Sequence, residues 1–309
     1  QIGAEGAAAQ AASAKLLAKV EDPDAMAAES PVIREYTALI RDARRQATHL
    51  MSNEEEALAS ALDTNGASGW SKLQSYLTST LEVEYRGETV TLSEIRNLAQ
   101  SPDRDVRRDA YEAELRAYRK AEDAVAFALN NIKGQVTYLA ERRNFASPLA
   151  EALEQSHMSR ETLDAMLSAV QDYLPIFRKY LRKKGELLGY KNGLPWFELY
   201  APLGENARRF TAEECRDYLL GVFGDISPDI AAVMRDAFEN EWIDFYPRSG
   251  KEGGAFDCGI PEIKQSRILT NFDGSFSDVV TLAHELGHAF HDQQVFSHSP
   301  LTQDYSMPV

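Results

Sequence analysis

The chain has 309 residues, 44 % of them hydrophobic and 26 % charged, the composition of a folded protein with a large core. Its length suits two packed lobes better than one small domain. Net charge is −15, which excludes a basic nucleic-acid footprint because phosphates would be repelled. The acidity serves solubility, and a field that favours cationic substrates is the sharper alternative.

Cys215 and Cys258 form neither a disulfide framework nor a CxxC pair, and sparse thiols fit a reducing cytosol, so a cytoplasmic location is expected. No apolar run reaches the roughly 18 residues that span a membrane, so no membrane contact is expected. The chain opens at "QIGAEG" without Met and closes at "DYSMPV", and both ends read as those of an internal piece of a longer protein.

In chain order, "AAAQAASAKLLAKV" and "SPVIREYTALIRDARRQATHL" read as helices, the second with Ser30 as its cap and Pro31 at its first position. Ser52 and the acidic residues after it start another helix. "EVEYRGETVTL" (residues 82–92) alternates about an Arg-Gly turn and predicts a short hairpin. Residues 93–143 are helical in pattern, with Val106, Ala110, Ala113 and Ala117 on one face. Two more helices follow, the second opened by Ser159 and closed by Gly189. "LPWFELYAPLG" is an irregular link, and Thr211 and Ser227 cap the next two helices. After Asp244 the chain turns Gly-rich, then strand-like at residues 266–272, then turn-like at residues 273–275. The expected architecture is mainly α, with a small sheet just before the stretch that begins at Thr281.

The stretch "TLAHELGHAFH" contains His284-Glu285-Leu286-Gly287-His288, an H-E-x-x-H pattern. Residues i and i+4 stack on one face of a helix, so both imidazoles reach one Zn²⁺, and Glu285 beside them can take a proton from water held there. That chemistry suits attack on an amide carbonyl. Ser277 or Asp278 is expected to cap the helix. Val279, Leu282, Leu286 and Phe290 form its buried stripe, and Gly287 suggests that something packs closely.

"SRILTNF" is expected as an edge strand that pairs with extended substrate backbone, which makes Ile268, Leu269, Thr270 and Asn271 candidate substrate-binding residues. His291 lies too nearly in line with His284 and His288 to be a ligand. His49 and His157 have no partner cluster, and His298 is a loop residue. No Ser/His/Asp or P-loop arrangement is present.

A catalytic zinc has three protein ligands. Downstream of Glu285, Asp292 is too close along the same helix, whereas Asp304 can approach on a return segment; otherwise the ligand lies beyond Val309. A non-catalytic helical binding scaffold with a chance motif is the remaining alternative.

"GGAF" and "ILTNFDGSFSDVVTLAHELGHAFH" resemble the active-site block of the M3 family of zinc metallopeptidases, in its oligoendopeptidase F branch. "YRGETVTLSEIRNLAQSPDRDVRRDAY", "SPLAEALEQSHMSRETLDAMLSAV" and "YLRKKGELLGYKNGLPWFELYAPLG" are similar to the same branch. The resemblance implies a mainly α, two-lobed helical metallopeptidase with a small β-sheet beside the HExxH helix. It implies an N-terminal helical domain at 1–150 and the first part of the catalytic domain at 151–309. One Zn²⁺ is expected, with oligopeptides as substrates. The implied roles are metal ligand for His284 and His288, base for Glu285, and substrate binding for Gly253, Gly254 and Ala255. The implied third ligand is a Glu expected beyond Val309, so this piece alone is expected to be inactive.

Overall fold

The computed structural model describes residues 2–204 and 208–306. Helices dominate, and their starts follow local chemistry. Ser30 accepts a hydrogen bond from Ile33 N and opens a helix whose first residue is Pro31, as the sequence predicts. Ser52 and Glu55 exchange bonds in a capping box, as do Thr211 and Glu214. Ser227 stands at a cap position without a side-chain bond. Among the described residues no helix is long and apolar enough to cross a membrane.

The chain divides into two compact units, each built from separate segments. The first comprises Gln1–Gln74, Ala124–Val170 and Ser299–Val309. It contains α1 (Ile2–Leu17), α2 (Pro23–Glu29), α3 (Pro31–Glu35), α4 (Thr37–Ala47), α5 (Asn53–Asp63) and α10 (Pro148–Gln155). The boundaries fall inside α6 (Ala67–Ser79), α9 (Glu122–Arg142) and α11 (Arg160–Leu187). Within this unit α1 lies on α4 and α5. Arg143, just past α9, reaches back to Glu56 of α5 at 2.7 Å.

The second unit comprises Ser75–Asp123 and Gln171–His298. The expected hairpin is present: β1 (Glu82–Tyr85) and β2 (Glu88–Thr91) pair antiparallel. Arg86 and Gly87 both take positive φ, 50° and 88°, the turn geometry that matches the twist of a two-residue hairpin. Val83 packs with α7 (Leu92–Asn97) and α8 (Arg104–Tyr118). On α8 the buried face is Ala110, Ala113 and Ala117 as predicted, but Arg107 takes the place expected for Val106. Its guanidinium enters the interior because Glu198 is there to receive it, at 2.5 Å. The long helical pattern of residues 93–143 is also interrupted, by a 3₁₀ turn at Leu98–Gln100 and by turns between α8 and α9.

The remainder of this unit builds a second core from α12 (Ala212–Ile226), α13 (Pro228–Glu239) and α14 (Phe276–Val295). Against it lies a three-stranded sheet of β3 (Ile243–Asp244), β4 (Phe256–Ile260) and β5 (Gln265–Leu269), in the order β3-β5-β4. The strand predicted as an edge is therefore central. β5 runs parallel to β3 and antiparallel to β4, and its alternate residues Ser266 and Ile268 are buried. β4 is an edge of this sheet and lies against α14.

Candidate metal centre on the HExxH helix

α14 begins at Ser275, not at Ser277 or Asp278. Ser275 Oγ accepts from Asp278 N at 3.2 Å, and Asp278 Oδ2 accepts from Ser275 N at 3.0 Å. The segment "DGSFSD" offers several cap residues, and Ser275 wins because the residue three positions on can return the bond. Val279, Leu282 and Leu286 face the core as predicted, and the stripe continues through Ala289 while Phe290 is only half-buried. Apart from its chain neighbours and its own helix backbone, no described atom lies within 4 Å of a Cβ added at Gly287, so no described residue supplies the close neighbour expected there.

The opposite face carries the two imidazoles. His284 and His288 set their rings edge to face, centroids 4.7 Å apart, with Nε2 facing Nε2 at 3.2 Å. At that separation the two nitrogens share either a proton or a metal. A tetrahedral zinc with Zn–N of about 2.0–2.1 Å holds two ligand nitrogens roughly 3.3 Å apart. The pair therefore fits two positions of a zinc shell, with His284 and His288 as the residues that would hold it. Among the described residues no group of three or more His, Cys, Asp or Glu side chains that could hold a metal ion is found.

Behind the imidazoles lie carboxylates. Glu285 is 7 % exposed, although it neighbours two exposed or half-exposed histidines. Two turns further on, Asp292 is 5 % exposed and accepts from Ser266 Oγ of β5 at 2.9 Å. Asp257 of β4 meets Asp292. Burial first, then the hydrogen bond and charge of Asp292 and the charge of Glu285, push the Asp257 carboxyl up to about 8. Gly259 makes this contact possible, since an added Cβ there would collide with Asp292 Oδ2. β4 and α14 are thus joined through a carboxyl pair in which burial favours the protonated form of Asp257. Asp292 stands seven residues after Glu285, on the same helical face, a spacing visible in the sequence. Its meeting with Asp257 has no such signature.

The candidate substrate residues sort by burial. Gly253 and Gly254 are exposed and Ala255 half-buried, just before β4. Ile268 belongs to the core, and Thr270 is buried with Oγ1 donating to Phe245 O at 3.0 Å. Leu269 is half-buried. Asn271 Nδ2 donates to Glu252 O and Gly254 O, both at 2.9 Å, and so clamps the Gly-rich loop. Lys251 holds the other side of that loop through Asp244 and Tyr246. Hydrogen bonds from Arg248, acting against partial burial, and from Lys251 hold Asp244 down to about 2.

Comparison with known proteins points to one family. The model for peptidase family M3 matches residues 226–305, which include the whole of α14, and the oligopeptidase F model matches residues 18–82. Oligopeptidase PepF of Bacillus subtilis is 26 % identical over 279 residues, 88 % of this chain and 41 % of its own length. Group B oligopeptidase PepB of Streptococcus agalactiae is 27 % identical over 299 residues, 90 % of this chain and 47 % of its own. The chain thus spans less than half the length of these two relatives. In fold, PZ peptidase A solved with an inhibitor superposes with a TM-score of 0.74 at 20 % identity, over 96 % of this chain and 50 % of that one. The chain belongs to peptidase family M3, in its oligoendopeptidase F branch.

Proposed function

We propose that this chain supplies the general base and two metal ligands of a zinc-dependent endopeptidase that hydrolyses short oligopeptides. The observation that carries the reading is the convergence of His284 and His288 Nε2 at 3.2 Å beside the buried carboxylate of Glu285. Zinc, when bound, supplies Lewis acidity toward water and toward a peptide carbonyl. His284 and His288 would hold it through their Nε2 atoms. Glu285 takes the proton of the attacking water on its carboxylate and returns it to the leaving amine.

The proposed third ligand is a glutamate in sequence following Val309. The edge of β4, with Gly253 to Ala255 leading into it, is the surface on which an extended peptide adds as a further strand. The proposed compartment is the cytoplasm, where both free cysteines, Cys215 and Cys258, stay reduced. The proposed domain division is 1–150 and 151–309.

The test is Glu285→Gln in the complete enzyme, read by zinc content and by cleavage of a fluorogenic peptide. Zinc should stay stoichiometric while turnover falls by about 10²–10⁴-fold. Turnover equal to the parent would remove Glu285 from the mechanism.

A further inference from the structure

The first unit contains a cavity of about 490 Å³, between α1, α4, α5 and the corner from α9 to α10. Its volume falls in the range of small-molecule sites, about 300–1,000 Å³. His49 and His157, which the sequence leaves isolated, both line it. Small apolar residues of α1, Ala11 and Ala14, form part of one wall. His49 stacks on Phe145, with centroids 3.8 Å apart and planes 8° from parallel. Its Nδ1–H donates to Arg143 O at 3.0 Å, because a carbonyl can only accept. In the neutral ring Nε2 is therefore an acceptor.

The charges around this cavity do not balance. Arg143 serves two carboxylates unequally: Glu56 at 2.7 Å, and Glu151 with a single longer contact at 3.4 Å. Glu56 also accepts from Met51 N at 3.1 Å. Arg45 is likewise shared, held closely by Asp42 and only at 3.4 Å by Glu154. Four carboxylates thus share two guanidiniums and the His157 ring, whose Nε2 lies 3.8 Å from Asp42, and at each arginine the less committed carboxylate belongs to α10. Glu151 and Glu154 are three residues apart, so they share one face of that helix. Both line the cavity, and Glu151 is 8 % exposed, which makes its half-met charge costly.

We propose that this cavity binds a small organic cation, an amine or guanidinium on a short aliphatic body, with Glu151 and Glu154 as its charge partners. The cation makes up the missing positive charge, and its aliphatic body lies against the alanines of α1 and the His49–Phe145 stack. The chain's net charge of −15 raises the local concentration of such cations but selects no site for them; the under-paired carboxylates of α10 do. This site is independent of the HExxH chemistry.

The test titrates the complete protein with agmatine by calorimetry, with N-butylurea as the neutral control. Agmatine should bind saturably at one site and N-butylurea should not. Glu151→Gln and Glu154→Gln should each weaken agmatine about tenfold, the usual size of one charge-assisted hydrogen bond. Glu122→Gln, at the start of α9 and outside the cavity lining, should change nothing. If thermal melting shows Glu151→Gln to be unfolded, Glu154→Gln decides, since its side chain is already one-third exposed (33 %). No saturable binding by about 10 mM, equal binding of the neutral control, or equal weakening by Glu122→Gln would each overturn the proposal.

Discussion

Glu198 and Glu285 are both buried carboxylates of the second unit, and their surroundings differ in kind. Glu198 is 0 % exposed and fully answered: Arg107 donates from Nε and Nη2 at 3.0 and 2.5 Å, Tyr190 Oη at 2.7 Å, and Arg104 lies at 3.1 Å. Glu285 shares its interior with Asp257 and Asp292, two further carboxyls. The cations at Glu198 stabilise a fold in which "LPWFELYAPLG" is tied to α8. At Glu285 the negative potential stands without such an answer, and protonation of Asp257 relieves part of it. Buried charge that the chain itself neutralises is structural. Buried charge left for something else to neutralise marks a site.

Substitution separates the two most sharply in stability. Glu198→Ala leaves two arginines facing an emptied pocket, one of them 3 % exposed, and should cost about 3–5 kcal/mol. Glu285→Gln removes a charge that repels its neighbours and should leave stability equal or higher. Urea unfolding of the two variants side by side measures the contrast. A Glu198→Ala loss below that of Glu285→Gln would mean that the Arg107 pair does not hold the link.

What the sequence makes legible is what neighbouring residues decide among themselves. The caps at Ser30, Ser52 and Thr211, the Arg86-Gly87 turn and the stacking of His284 with His288 all depend on residues within four positions of each other. The errors lie where distant segments meet. β5 is central because Ile243 and Asp244 pair with Ile268 and Leu269, and a two-residue strand has no pattern to announce it. Arg107 is buried because of Glu198, 91 residues away. The expected edge is found on β4, whose sequence "FDCGI" does not alternate cleanly. The carboxyl pair behind the candidate site joins Asp257 to Asp292, and only the strand register brings them together.

That register is itself testable. Gly259→Ala places a methyl against Asp292 Oδ2, which Ser266 fixes from the other side. Overpacking of this kind costs about 1–3 kcal/mol. Asp292→Ser in the same chain should recover much of the loss, and a double-mutant cycle by thermal unfolding gives the coupling. Full additivity of the two changes would show that Gly259 is not there to admit Asp292.

The pH dependence of Asp257 probes the unanswered charge directly. Its carboxyl is raised from 3.8 to about 8 in the folded state. Below the unfolded value both states hold the proton, and the pair's contribution is complete. As pH rises toward 8, the unfolded chain has released its proton while the folded chain keeps it, so this contribution falls. It is lost once the folded carboxyl ionises. Asn at 257 stays neutral at every pH and can still donate a hydrogen bond to Asp292. Asp257→Asn should therefore gain on the parent in melting temperature as pH rises from about 5 to about 8.5. Melting curves of parent and variant at the two ends of that range suffice. A gain that shrinks with rising pH would place the proton elsewhere and leave Asp257 ionised beside Glu285.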